Sequence, residues 1–193
     1  EAPFSKADLM DLLDLAEKTG SRLAWSASVG GGAPMIETIR AARAAGPIAG
    51  FEAVLNGTVN VMLQRLGGGA AFADALADAR AAGFAEEDPS SDLEGLDSAA
   101  KVKLLSFEAF GEKPDQVPCD ILSSATLLGD KPVRQIGACF RKEGQLEASV
   151  KLERELEDRL FQSLAGERNA LKVYGEDGRV WTCKGRGAGR WAT

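Results

Sequence analysis

Apolar residues recur at helical spacing through Leu9, Leu12, Leu13 and Ala16, with Ser5 placed to cap, Asp8 three residues on, and Gly20 placed to stop. The pattern predicts an amphipathic helix of about three turns. Between Arg22 and Val29 the period becomes two: Leu23, Trp25, Ala27 and Val29 alternate with neighbours in a way that predicts a half-buried strand, ended by Gly30, Gly31 and Gly32. Pro34 then opens a helix with Ile36, Ile39, Ala42 and Ala45 on one face, closed by Gly46. A strand over 48–55 and a short helix through Val59, Met62 and Leu63 follow, the helix ending at Gly67-Gly68-Gly69. Phe72 to Ala82 reads as another helix, with Gly83 as its stop.

The next stretch, Ala85 to Leu96, carries five carboxylates and a proline without apolar period, and is expected to be an irregular acidic loop. From Asp97 a helix resumes through Ala100, Val102, Leu104, Leu105 and Ala109. A connection with Pro114, Pro118 and Pro132 leads into strands. Val133–Arg141 and Gln145–Arg154 flank a Lys-Glu-Gly turn, and Asn169–Tyr174 and Arg179–Gly185 flank Glu-Asp-Gly. Four or more helices and about six strands, several in hairpins, predict an α+β domain: a mixed or antiparallel sheet with helices packed on one face. No internal repeat or low-complexity linker divides it, so one domain is the simplest reading.

Composition narrows the chemistry. With 193 residues, 45% hydrophobic and 27% charged, the chain is ordinary globular material. Its net charge of -6, with both signs dispersed, argues against nucleic acid as a partner. No apolar run approaches the roughly 20 residues of a membrane span, and the first helix is too acidic for a signal peptide, so a cytoplasmic protein is expected. Cys119, Cys139 and Cys183 are scattered without CxxC spacing and suggest buried thiols rather than disulfides or zinc. The chain has no histidine, so proton transfer must use lysine, carboxylates, Tyr174 or water.

Four segments could carry chemistry. Ser26–Pro34 (SASVGGGAP) runs into a helix start through three glycines, which permit close backbone approach to a ligand or simply a tight turn. Leu55–Asn60 (LNGTVN) has a glycine able to adopt an unusual backbone angle and a hydroxyl at Thr58, equally suited to a helix cap. The acidic stretch from Glu86 to Asp97 leads to Lys101, four residues from Asp97 and therefore on the same helical face; a solvated ion pair would look the same. A calcium loop is the less fitting reading of that stretch, since the EF-hand order of ligands is missing. The terminal GRGAGRWAT could approach a phosphate, or be a tail.

Taken in order, these segments resemble the homoserine dehydrogenase family, whose catalytic domain carries E-A-S-V-G-G-G-x-P, L-N-G-T-x-N, G-Y-x-E-x-D-P-x-x-D-x-x-G-x-D-x-x-x-K and G-x-G-A-G. The match is strongest from Ala27 to Lys101 and from Gly185 to Gly189. The resemblance implies interconversion of L-homoserine and L-aspartate 4-semialdehyde with NAD or NADP, in threonine and methionine biosynthesis. It implies that Glu86 and Asp92 bind the substrate's amino group, that Gly57 and Thr58 line the substrate and nicotinamide side, and that Gly187, Ala188 and Gly189 lie toward the cofactor. Asp97 would meet the reacting hydroxyl or its water, and Lys101 would stabilise and protonate the oxygen. It further implies a homodimer formed through the sheet, and a monovalent cation such as sodium on the carbonyls of Val29, Gly31 and Ala33.

The chain departs from the pattern at several points. Ser26 stands where the cation's carboxylate is expected, Phe84 where a tyrosine is expected, and Ala192 where a proline is expected. A second active-site lysine would fall at or before Glu1. Such an enzyme also carries a Rossmann domain, whose seams with this domain coincide with Glu1 and Thr193. The expectation is a catalytic and dimerisation domain over 1–193, without the nucleotide-binding domain and inactive by itself. Two other readings are a non-catalytic relative that keeps the amino acid pocket for binding or regulation, or only the sheet for dimerisation, and an oxidoreductase with the same domain and another substrate.

Overall fold

A computed structural model of the chain describes residues 6–126, 132–154 and 156–187. Its helices are α1 (Lys6–Thr19), α2 (Met35–Ala45), α3 (Gly57–Gly67), α4 (Phe72–Ala81), α5 (Ser90–Leu93), α6 (Leu96–Phe110) and α7 (Arg159–Gln162). Its strands are β1 (Ile48–Val54), β2 (Arg134–Lys142), β3 (Gln145–Glu153), β4 (Arg168–Gly175) and β5 (Val180–Arg186). They form one five-stranded sheet in the order β3-β2-β1-β4-β5, and every neighbouring pair is antiparallel. The α+β expectation therefore holds, with the sheet antiparallel and five strands, not about six, among the described residues.

Local chemistry accounts for most boundaries. Glu143 and Gly144, both at positive φ (50° and 83°), make the two-residue turn whose twist suits the β2–β3 hairpin. Gly111 at φ 75° ends α6 and donates its N–H to the Phe107 carbonyl. Gly20 follows α1 as expected, while the proposed cap Ser5 lies outside the described residues.

Period two on β1 sends Phe51 and Ala53 to one face and Glu52 and Val54 to the other. The first face, joined by Leu171 and Val173 of β4, packs against Ile36 and Ile39 of α2 and Val102 and Leu105 of α6. Helix α6 crosses β2 at Gly137, where an added Cβ would stand 2.6 Å from Val102 Cγ2, so the close approach needs a glycine there. A second cluster joins Val59, Met62 and Leu63 of α3 to Ala79 of α4. Helices α2 and α6 thus lie on one face, but α7 departs from the expectation: Phe161 and the nearby Leu164 cover Val54, Ile136 and Ala170 on the other.

Two elements differ from the sequence reading. Arg22–Val29 is not a strand; Ser26–Ser28 forms a turn of 3-10 helix, with the Ser28 and Val29 N–H groups donating to Trp25 and Ser26 carbonyls. Those amides turn back on their own segment instead of joining a sheet edge, and Trp25 packs on the core with Arg40 over its ring at 5.4 Å. The acidic segment contains α5, which starts after Pro89 and places Asp92. No helix among the described residues is long and apolar enough to cross a membrane.

Candidate active site

Strand β1 ends at Val54, and the chain then turns through Leu55 and Asn56 into α3. Asn56 caps that helix by accepting from Val59 N–H at 2.9 Å. Gly57 is the first residue of α3 with ordinary helical geometry, so the unusual backbone angle expected there is not used. Thr58 donates its hydroxyl to the Phe84 carbonyl at 2.7 Å, tying α3 to the start of the acidic segment through backbone that a tyrosine or a phenylalanine would present equally.

Opposite this turn, α5 and the first turns of α6 bring in charge. The ammonium of Lys101 donates to Asp97 Oδ2 at 2.7 Å and to the Leu55 carbonyl at 3.1 Å. The Asn56 amide donates to Asp92 Oδ1 at 2.6 Å and to Asp97 Oδ2 at 2.8 Å. Asn169 of β4, fully buried, donates to the same Leu55 carbonyl at 3.2 Å. Lys101 and Asp97 are partly buried, at 22% and 31% side-chain exposure, so solvent screens this pair less than an exposed one while a ligand can still reach it. Asp92, Asp97 and Lys101 are therefore brought together as the sequence suggested. Glu86 is exposed and is not joined to this cluster; its carbonyl accepts from Arg80 at 3.4 Å, and among the described residues its carboxylate has no hydrogen-bond partner.

Asn56 and Asn169 were not singled out from sequence. Asn56 lay inside the quoted LNGTVN segment, where it could equally be read as a cap; Asn169, at the start of a predicted strand, carried no such signal.

The two glycine-rich segments are neighbours. Gly32 N–H donates to the Arg186 carbonyl at 2.8 Å, and an added Cβ on Gly31 would stand 2.8 Å from the Gly187 carbonyl oxygen. Gly187 lies against the Asn169 amide, which links this pair to the Lys101 side of the domain. Ala188 and Gly189 lie outside the described residues. Near the glycine turn, the Ala33 carbonyl accepts from Met35 N–H, and Ser26 gives its hydroxyl to Glu37. Where a carboxylate was expected Ser26 thus supplies only a hydroxyl that is already engaged, and among the described residues no group of three or more His, Cys, Asp or Glu gathers to hold a metal. We assign no step to a cation.

A cation donor hydrogen-bonded to one carboxylate, with a second carboxylate on the same amide, can bind an amino alcohol and move a proton at its oxygen. A family model described as homoserine dehydrogenase matches residues 34–193. The chain belongs to the homoserine dehydrogenase family. The NAD(+)-dependent homoserine dehydrogenase of Pseudomonas canavaninivorans is 34% identical over 193 residues, covering 95% of this chain and 55% of that enzyme. The homoserine dehydrogenase structure from Thiobacillus denitrificans superimposes with a TM-score of 0.82 at 31% identity, covering 94% of this chain and 44% of that one. A hyperthermophilic archaeal homoserine dehydrogenase in complex with NADPH gives a TM-score of 0.77 at 27% identity, covering 93% and 54%. The chain spans 55% of the length of the Pseudomonas canavaninivorans enzyme and 42% of the homoserine dehydrogenase of Pseudomonas aeruginosa.

Proposed function

We propose that this chain is the substrate-binding and catalytic part of an enzyme that interconverts L-homoserine and L-aspartate 4-semialdehyde with NAD or NADP, working in the cytoplasm beside a nucleotide-binding domain. The observation that carries the reading is the Asp92–Asn56–Asp97–Lys101 cluster at the end of β1. Asp92, with Glu86 from the neighbouring loop, receives the substrate's ammonium. Lys101 faces the substrate oxygen: in the reducing direction its ammonium meets the oxygen as negative charge gathers and delivers a proton, leaving the neutral amine, and in the oxidising direction that neutral amine takes the hydroxyl proton and becomes the ammonium. Asp97 holds the Lys101 ammonium in place and meets the reacting hydroxyl or its water. The sequence has no G-x-G-x-x-G turn, so the described residues fit only the reacting end of the cofactor, through Gly57, Thr58 and the Gly187 segment with Ala188 and Gly189 beyond it. When bound, the nicotinamide supplies or accepts the hydride.

Pairing of two copies through the sheet belongs to the same reading. It is supported by the face opposite α2 and α6, where Phe140 and Tyr174 are only partly buried with ring centroids 5.7 Å apart. The test is an assay of the complete enzyme carrying this chain, with homoserine and each of NAD+ and NADP+, read by the absorbance of reduced nicotinamide. Turnover of homoserine supports the proposal. Homoserine binding without turnover in the complete enzyme would favour a binding module, and preference for another amino alcohol would replace the substrate.

A further inference from the structure

Asn56 stands between the central strand and α3, in extended backbone at φ -124° and ψ 112°, and is 4% exposed. Its side-chain oxygen caps the helix at Val59 N–H, and its nitrogen donates to Asp92 and Asp97. Both donor hydrogens and the acceptor are thus in use, a set that no other side chain of this length can supply.

The two carboxylates need such a tie. Asp92 lies on the four-residue α5 and Asp97 in the first turn of α6, and the joint between those helices is Gly95 at φ 76°. The residues just before the two helices, Pro89 and Gly95, supply no side-chain cap. Among the described residues the Asp92 carboxylate has no hydrogen-bond partner besides Asn56, whereas Asp97 also holds Lys101. Asp92 Oδ2 and Asp97 Oδ1 are left for a ligand.

We propose that Asn56 is a positioning residue, holding Asp92 and Asp97 from one amide nitrogen so that their free oxygens are presented to a single substrate at a fixed separation. The inference rests on the amino alcohol reading above. The amino group and the hydroxyl of such a substrate ride on one short carbon chain, so a carboxylate displaced by about 1 Å loses on the order of 10²-fold in rate.

Asn56→Ser tests it in the complete enzyme, since serine caps helices as well as asparagine but has no amide nitrogen to share. The variant should still fold, melting below wild type for the loss of the two carboxylate bonds. Its kcat/KM for homoserine should fall about 10²-fold, with KM rising through Asp92 and kcat falling through Asp97. Wild-type kinetics in Asn56→Ser would mean that Asn56 is a cap and nothing more. A melting-temperature cycle of Asn56→Ser with Asp97→Ala needs no substrate: non-additive shifts support the tie and additive shifts overturn it. If the wild-type enzyme ignores homoserine, the substrate reading fails while this cycle still decides the role of Asn56.

Discussion

Gly187 lies so close to Asn169 that a Cβ added to it would stand 2.1 Å from the Asn169 amide nitrogen. That nitrogen donates to the Leu55 carbonyl, the acceptor also used by Lys101, so the segment after β5 and the site lysine share one anchor. Gly187→Ala should displace the buried amide and lower stability by about 1–3 kcal/mol, the usual cost of overpacking. It should also lower turnover in the complete enzyme. Thermal melting and steady-state kinetics check both, and a variant with wild-type melting would show that the contact relaxes freely.

Lys101→Ala removes the cation facing the proposed substrate oxygen. Among the described residues its ammonium bonds only Asp97 and the Leu55 carbonyl, so the fold should survive. Turnover of the complete enzyme should fall roughly 10²–10³-fold, the range for losing one charge-stabilising donor. Near-normal kcat would remove Lys101 from the mechanism.

On the opposite sheet face, the Lys172 ammonium beside Asp158 holds that carboxyl below its usual range, helped by the Leu160 N–H and opposed by partial burial. A carboxylate with a depressed folded pKa contributes stability that is complete above its unfolded pKa, about 3.9. That contribution is lost as pH falls through the lower, folded value. Asparagine can still cap α7 in its place but carries no charge. Melting temperatures of Asp158→Asn should therefore lie below wild type near neutral pH and converge with it as pH falls through the carboxyl's lowered, folded value. Parallel curves would sink the assignment.

Burial pushes the Cys119, Cys139 and Cys183 thiols up from their ordinary values. Since the thiolate is the reactive form, iodoacetamide at neutral pH should label the native chain slowly and the urea-unfolded chain fast at all three positions. Rapid labelling of any one in the native state would contradict its packing.

Leu105, fully buried on α6, packs in the core between that helix and the sheet. Leu105→Ala should destabilise by about 2–5 kcal/mol, measured by urea denaturation. Leu15→Ala, at an exposed position on α1, should change stability by less than about 0.5 kcal/mol.

The sequence by itself determined whatever depends on neighbours along the chain. Helical spacing and glycine stops located α2, α3, α4 and α6, turn chemistry located both hairpins, and the four-residue step from Asp97 to Lys101 put their side chains on one helical face. Only the tertiary structure decided which distant groups join that pair. Asn56 meets Asp92 across 36 residues, and Asn169 meets the Leu55 carbonyl across 114. Hydrogen bonds over such separations leave no period to read, because they form only when β1, β4 and α6 are packed together. The same reason explains the Arg22–Val29 error: alternation marks a strand only where a sheet edge accepts it, and here the amides of Ser28 and Val29 bond within their own turn.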